Sequence, residues 1–317
     1  MGNTFYFDWE VSLMEWLQSV MGEAGKFIAI IFTYLGEVGT IIAILGFVYL
    51  IWDKDKGRIV GLNAVMTVVW NPLIKNVFLR RRPYFDNPGI KCLKPVEPEM
   101  DLLDVNAQGF SFPSGHAMNT TAVIGGVAYV FRKNWLTILS TILIIMVGVS
   151  RFCLGVHYPT DVMVGWIVGL IFVFMMPVLL KKIKRTWLLY LVITLVSCVG
   201  FFFCKTNDYY TGIGCMIGFF VGDLFEKKYV KFENTRNIWA ILIRLVIVAG
   251  VYLGGNVLFK LPFSAEFLES DTMIQYVVRM IRYALILFLE IGIAPMCYKP
   301  LEKLFHISGG VKKNTAK

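Results

Sequence analysis

The chain has 317 residues, of which 57% are hydrophobic and 17% charged, and its mean hydropathy is +0.65. This composition excludes an ordinary soluble domain and indicates a protein that crosses the bilayer several times. The net charge of +9 does not indicate a nucleic-acid-binding protein. Most Lys and Arg residues occupy short segments between apolar runs, as the positive-inside rule expects, and no nucleic-acid-binding motif is present.

The first predicted element is an amphipathic helix within residues 1–26, lying in the membrane interface. A soluble helix that caps the membrane region is the alternative. The segment is acidic and no basic region precedes its apolar residues, so we expect no cleaved signal peptide. Its apolar side chains recur at three- and four-residue intervals and are Trp9, Leu13, Trp16, Leu17, Val20 and Met21.

Apolar runs of bilayer-spanning length, about 20 residues, follow this helix. The predicted fold is therefore an all-α polytopic membrane bundle of about nine transmembrane helices plus the interfacial helix. We divide the rest of the chain into a first membrane region (27–180), an additional four-helix membrane region (181–297) and a basic tail (298–317). The spans are predicted at about 27–52, 59–79, 114–131, 135–154, 158–180, 186–204, 209–225, 237–259 and 274–297.

Basic residues follow the odd-numbered spans, beginning with the predicted loop 53–58, and also fill the tail. The positive-inside rule therefore places the N-terminus outside and the tail in the cytoplasm. Loop 80–112 breaks this pattern on the predicted outer side, and we interpret its local excess of cations as a site for an anion. Its basic residues are Arg80, Arg81, Arg82, Lys91 and Lys94.

Three groups of polar residues lie at the outer ends of spans 2 to 5 in this topology. Ionisable residues at membrane depth are costly to bury and therefore indicate function. The groups are Lys75 with Arg82-Pro83, then Pro113-Ser114-Gly115-His116, and then Ser150-Arg151 with His157 and Asp161.

Residues of these groups are of the kinds that bind a phosphate group. Lys75, Arg82 and Arg151 supply three cations, and guanidinium groups match phosphate oxygens bidentately. Ser114 and Gly115 open span 3, where a hydroxyl and free backbone N–H groups can bind an anion. We therefore predict that these five residues bind a phosphate group.

His116 and His157 are two of three histidines in the chain. One can attack phosphorus and the other can protonate the leaving oxygen, and the residues alone leave open which does which. Asp161 follows His157 by four residues and can hold its imidazole in one tautomer. Three cations can neutralise phosphoryl charge as Mg²⁺ does elsewhere. The chain shows no metal-ligand pattern among its cysteines or carboxylates, and we predict neither a metal nor another cofactor.

The spacing Lys75-x6-Arg82-Pro83, with Pro113-Ser114-Gly115-His116 and Ser150-Arg151-x5-His157-x3-Asp161, resembles the signature of the type 2 phosphatidic acid phosphatase superfamily. The resemblance covers about residues 27–180. It implies that this region is the catalytic core, and that His157 attacks to form a phosphohistidine. Asp161 would orient His157, His116 would protonate the leaving group, and the five phosphate-binding residues would keep that role.

The predicted function is that of an integral membrane phosphatase acting at the extracytoplasmic face. Its substrate would be a lipid phosphate or diphosphate such as phosphatidate, phosphatidylglycerophosphate or undecaprenyl diphosphate. An embedded site favours a lipid, whose tails stay in hydrocarbon. The nine-span layout is similar to that of glucose-6-phosphatase, so a phosphatase for a soluble sugar phosphate is the alternative. The non-enzymatic alternative is a transporter or scaffold with an inactive site.

Overall fold

The computed structural model describes residues 2–307. Within this range the secondary structure is helical apart from one isolated bridge between Asn3 and Arg80, and the all-α prediction is confirmed. Residues 308–317 of the predicted tail lie outside the described residues. The α-helices of residues 2–307 are α1 (Asp8–Leu35), α2 (Val38–Gly46), α3 (Lys54–Phe78), α4 (Pro83–Asp86), α5 (Val105–Gln108), α6 (Gly115–Thr120), α7 (Gly126–Phe131), α8 (Asn134–Cys153), α9 (Pro159–Lys182), α10 (Thr186–Ser197), α11 (Asn207–Phe225), α12 (Ile238–Leu258), α13 (Ala265–Leu268), α14 (Met273–Phe288) and α15 (Tyr298–Leu304).

Each predicted span coincides with a helix or with a run of joined helices. The joins are wide π-helical turns or tight 3₁₀ turns, so several spans are not single α-helices. The π turns are Phe47–Trp52, Thr121–Gly125, Glu226–Val230 and Leu289–Ile293, and the 3₁₀ turns are Cys198–Phe202 and Ala294–Cys297.

The count of nine spans stays a prediction. Among residues 2–307, four helices are long and apolar enough to cross a membrane, namely α3, α8, α9 and α12. Helix α1 with the bent segment Val38–Trp52 would add a fifth, the bend being 47°. Helix Thr186–Phe202 is shorter, and α11 carries the fully buried carboxylate of Asp223.

The predicted interfacial helix and the start of span 1 form one element, α1, with a kink at Gly22 (φ +56°). Glu10 and Met14 are buried, whereas Trp9 and Trp16 of the predicted apolar face are 50% and 58% exposed. Exposed tryptophans are what an apolar face turned toward the membrane would show, and the interfacial position of this helix stays a prediction. The burial of Glu10 was not predicted, because its polar partners leave no sign in the spacing of apolar residues.

Helix α3 begins earlier than predicted, because residues 53–58 do not form a loop and the helix starts at Lys54. The Oδ1 atom of Asp53 accepts the N–H of Lys56 at 3.1 Å. This bond satisfies one of the free N–H groups of the first helical turn and favours the early start. At the other end of α3, Lys75 lies in the last turn.

The chain forms two compact units. Unit 1 comprises Met1–Ile44 and Trp70–Pro177, and unit 2 comprises Leu45–Val69 and Val178–Lys317. The predicted linear division at residue 180 is thus interrupted, because residues 45–69 associate with the C-terminal part of the chain. All the predicted site residues belong to unit 1.

In unit 1, two apolar clusters attach α1 to the segment that follows α8. Ala29 belongs to one cluster with Leu154, and Met14 belongs to the other with Tyr158. Full burial of a side chain as large as that of Leu154 or Met14 contributes about 1.5–3 kcal/mol to stability. These contacts fix the short segment that carries His157.

In unit 2, buried ion pairs join residues 45–69 to the C-terminal part of the chain. Lys54 Nζ lies 2.8 Å from Glu226 Oε1, and the Arg58 guanidinium donates to the Asp223 carboxylate. Both carboxylates are fully buried. Removing one partner of such a pair strands a buried charge, at a cost of about 3–5 kcal/mol.

Candidate active site

His157 lies in a tight connection between α8 and α9. The chain turns at Gly155, whose φ is +75°, and an added Cβ there would lie 2.2 Å from the carbonyl oxygen of Lys91. Glycine alone satisfies both the left-handed backbone and this close approach. Two residues later lies His157, which is 2% exposed and precedes the helix start at Pro159 by two residues.

Asp161, in the first turn of α9, faces His157. Its Oδ2 lies 3.5 Å from His157 Nδ1 and accepts the backbone N–H of Tyr158 at 2.8 Å. Its Oδ1 accepts from Arg80 Nη1 at 2.6 Å. Among the described residues His157 Nδ1 has no hydrogen-bond partner, because 3.5 Å is longer than a normal bond. Catalytic hydrogen bonds are often long without substrate and shorten when it binds.

The predicted cations surround His157. Burial holds the pKa of the His157 imidazole well below its usual range, and the nearby charges of Arg82, Arg151 and Lys75 lower it further, as does His116. The structure therefore brings the three predicted cations and His116 close to His157. A histidine with a low pKa is neutral near pH 7, and the neutral form has the free electron pair that a nucleophile needs.

Backbone carbonyls anchor Arg82, and a side chain anchors Arg151. Arg82 Nε donates to the Gln108 carbonyl at 2.8 Å, and its Nη1 donates to the Val156 carbonyl at 3.0 Å. Arg151 is 4% exposed and donates from Nη1 to Thr33 Oγ1, but its buried Nε has no hydrogen-bond partner among the described residues. Leaving a buried donor unpaired costs about 1–3 kcal/mol, and an anion such as phosphate would supply the missing acceptor.

Ser114, Gly115 and His116 lie at the start of α6, as predicted for this helix end. Ser114 is fully buried, caps the helix through its hydroxyl, and donates its backbone N–H to the Asp161 carbonyl at 3.0 Å. A Cβ at Gly165 of α9 would lie 2.8 Å from the Ser114 carbonyl oxygen, so this glycine permits the close approach. His116 is half-buried, and charges on the site's cations act on it as they do on His157. Within residues 2–307, no three His, Cys, Asp or Glu side chains are grouped as metal ligands.

The basic run of loop 80–112 is not one anion site, which corrects the interpretation of its sequence. Arg80 pairs with Glu10 and Asp161, and Arg81 pairs with Asp86 at 2.5 Å. Lys94 pairs with Glu37. Carboxylates therefore pair with these cations, and those of Arg80 and Lys94 are distant in the sequence. Arg82 remains as the member of the arginine run whose charge acts on His157.

Sequence reasoning also missed Glu10 and Thr33, which α1 brings to the site. Glu10 was counted only as part of an acidic N-terminus, and Thr33 lies within a predicted span. A pairing between residues separated by 70 positions, such as Glu10 with Arg80, leaves no periodic pattern in one sequence. A buried carboxylate requires a partner, but the chain offers 31 Lys and Arg residues as candidates.

Comparison with known proteins shows that the chain is similar to several phosphatases. It is 36% identical over 102 residues to phosphatidylglycerophosphatase B of Bacillus subtilis, and the matched segment covers 29% of this chain and 50% of that protein. It is 31% identical over 118 residues to the undecaprenyl-diphosphatase of Sulfolobus acidocaldarius, covering 37% and 51%. The chain thus spans about half the length of these two relatives.

A longer match is that to the decaprenylphosphoryl-5-phosphoribose phosphatase of Mycobacterium tuberculosis, 32% identical over 165 residues that cover 50% of this chain and 84% of the relative. A crystal structure described as the first transmembrane PAP2 type phosphatidylglycerolphosphate phosphatase, from B. subtilis, is 27% identical, with a TM-score of 0.42, over 57% of this chain and 90% of that one.

Two family models match consecutive parts of the chain. The model of the PAP2 superfamily matches residues 56–185, which include every predicted site residue. The model of the PAP2 superfamily phosphatase transmembrane extension matches residues 210–304. With these two models and the long match to the mycobacterial enzyme, the chain belongs to the PAP2 superfamily, the group that its signature residues indicate.

Proposed function

We propose that this protein is an integral membrane phosphatase that removes the terminal phosphate of a lipid phosphate or diphosphate through a phosphohistidine on His157. The observation that carries the proposal is one buried site that combines two histidines, a carboxylate facing one of them, and three cations. The arrangement supplies positioning and charge neutralisation, which are the main requirements of phosphoryl transfer.

In the first step the substrate phosphate would accept hydrogen bonds from Arg82, Arg151 and Lys75. The negative charge of the bound phosphate favours the protonated form of His116. His157 Nε2 attacks phosphorus while the bond to the leaving oxygen breaks, and the protonated His116 donates its proton to that oxygen. The product alcohol, or the lipid monophosphate from a diphosphate, departs. Asp161 stabilises the positive charge that the phosphorylated imidazole of His157 carries.

In the second step water attacks phosphorus, and the bond between phosphorus and His157 Nε2 breaks. His116, now neutral, takes the proton that water releases. Inorganic phosphate leaves, and both histidines return to their starting state. No step requires an oxidant or a second substrate other than water.

A lipid is the proposed substrate class because the site lies at the ends of long apolar helices. Helices α3, α8 and α9 are membrane-spanning candidates, and each supplies or adjoins a site residue. A phosphate at such a helix end is reached most directly by a lipid whose tails remain in hydrocarbon. The positive-inside pattern supports an extracytoplasmic site and a cytoplasmic tail.

Phosphate release from a panel of substrates in detergent tests the proposal. The panel contains phosphatidate, phosphatidylglycerophosphate, undecaprenyl diphosphate and glucose 6-phosphate. We expect release from at least one lipid and little from the sugar phosphate. Phosphate release should be lost in His157→Ala and retained in the control Lys91→Gln, which changes an exposed lysine of the segment 80–112. Faster release from glucose 6-phosphate would overturn the lipid assignment, and full activity of His157→Ala would overturn the mechanism.

A further inference from the structure

A buried chain of three charged side chains runs from α1 to the Asp161 carboxylate. Glu10, Arg80 and Asp161 are 0%, 1% and 0% exposed. Arg80 bridges the two carboxylates, with Nη2 3.0 Å from Glu10 Oε2 and Nη1 2.6 Å from Asp161 Oδ1. Buried ion pairs are costly to assemble and are weak evidence of stability alone, so their placement beside a reacting group raises the question of function.

Each member of this chain is held by further bonds. Glu10 Oε1 accepts the backbone N–H and the hydroxyl of Thr160 at 2.9 and 2.7 Å. Arg80 Nε donates to the Phe5 carbonyl at 2.7 Å, and its guanidinium lies between the rings of Phe5 and Tyr158, 4.7 and 4.0 Å from their centroids. The bridging arginine is therefore fixed on several sides.

The bonds to Asp161 divide its two oxygens between two tasks. Oδ1 is occupied by Arg80 and Oδ2 faces His157 Nδ1, with the Tyr158 N–H also on Oδ2. If the Arg80 bond were lost, the carboxylate could rotate about its χ2 bond, which has a broad energy minimum. His157 would then lack a fixed acceptor for its Nδ1–H.

We propose that Glu10 and Arg80 are positioning residues, which hold the Asp161 carboxylate in the orientation that directs His157 Nε2 toward phosphorus. The inference rests on the proposed function of His157. It extends the reacting machinery to α1, which lies before the family match at residues 56–185. Neither residue belongs to the five predicted phosphate-binding residues, and both act through Asp161.

A positioning role predicts a loss in kcat without a loss in substrate binding. Arg82, Arg151 and Lys75 hold the phosphate independently, so KM should change by less than about twofold. A misplacement near 1 Å can cost about 10²-fold in rate. We expect kcat to fall about 10- to 100-fold in Arg80→Lys, which keeps the charge but cannot bridge both carboxylates, and about 10-fold in Glu10→Gln.

A double-mutant cycle provides the readout that a merely structural role would not move. Glu10→Gln is measured in the wild-type and in the Asp161→Asn background, with nitrophenyl phosphate as substrate. If Glu10 acts through Asp161, its substitution has little further effect once the carboxylate is gone. Glu15→Gln, an exposed glutamate of the same helix, is the matched control and should keep wild-type kcat.

The outcomes separate this inference from the function on which it rests. Two results would overturn the positioning role while His157→Ala remained inactive. One is an equal fall in kcat from Glu10→Gln in both backgrounds, and the other is a rise in KM with kcat unchanged. Activity in His157→Ala would instead overturn the proposed function. If Arg80→Lys fails to fold, the cycle on Glu10→Gln decides the matter, because that change keeps the shape of the side chain.

Discussion

Replacing Asp161 by Asn is the most informative single substitution in this protein. Two donors, Arg80 Nη1 at 2.6 Å and the Tyr158 N–H at 2.8 Å, bond the carboxylate, and His157 Nδ1 faces it at 3.5 Å. An asparagine has one oxygen and one NH₂ group in the same places. Whichever way the amide is turned, its NH₂ group faces at least one donor.

The consequence for catalysis follows from the tautomer of His157. If the amide NH₂ faces Nδ1, that nitrogen becomes an acceptor and the ring proton moves to Nε2, which then has no electron pair with which to attack. The corresponding aspartate-to-asparagine change in a serine protease triad lowers kcat by about 10⁴-fold through the wrong tautomer. We expect a fall of about 10³- to 10⁴-fold for Asp161→Asn.

The consequence for stability is smaller. Arg80 keeps Glu10 at 3.0 Å, so the guanidinium is not left unpaired. The free energy of unfolding should fall by about 1–3 kcal/mol, the cost of one unsatisfied buried group. Thermal unfolding and kcat are measured in the same detergent, with Asp101→Asn in the exposed loop as control. A properly folded Asp161→Asn enzyme with less than a tenfold loss in kcat would refute the reasoning.

Other predictions follow from the same site. In His116→Ala, kcat should fall about 10²–10⁴-fold on an alkyl phosphate and much less on nitrophenyl phosphate, whose leaving group needs no proton. His157→Ala should lose activity on both substrates. Equal losses of kcat in the two variants would contradict the division of roles. Activity should persist in excess EDTA because protein cations neutralise the phosphoryl charge, and rescue by Mg²⁺ after a loss would argue against this. The low pKa of His157 places the acid limb of kcat/KM below pH 6.5, and this group reduces stability as the pH falls below 6.5, since the unfolded chain then binds more protons. An acid limb at or above pH 6.5 would be incompatible with this prediction. A cysteine placed in 84–110 should react with an impermeant thiol reagent from outside the cell when reactive native thiols are removed, and labelling only from the cytoplasmic side would reverse the orientation.

The sequence allowed the helices and the grouping of His157 with Asp161 and the nearby cations to be predicted because both leave patterns in the sequence. Apolar runs mark helices, and the four-residue spacing from His157 to Asp161 brings the two side chains together across the start of α9. The role of Arg80 could not be predicted, because three consecutive arginines look alike until their partners are known. Glu10 escaped notice for the same reason, since its partner lies 70 positions away.

The division of α3 between the two units has a consequence for how the protein is made. Its first half joins residues that are synthesised much later, since Arg58 and Asp223 are separated by 165 positions, and its last turn carries Lys75. During translation Lys75 is therefore on a helix whose other end still lacks its partners, and the formation of such long-range contacts slows folding. A shortened chain that ends near residue 180 would keep every signature residue, but Lys54 would lose Glu226 and Arg58 would lose Asp223. The C-terminal part of the chain therefore supplies the buried carboxylates that the first half of α3 requires.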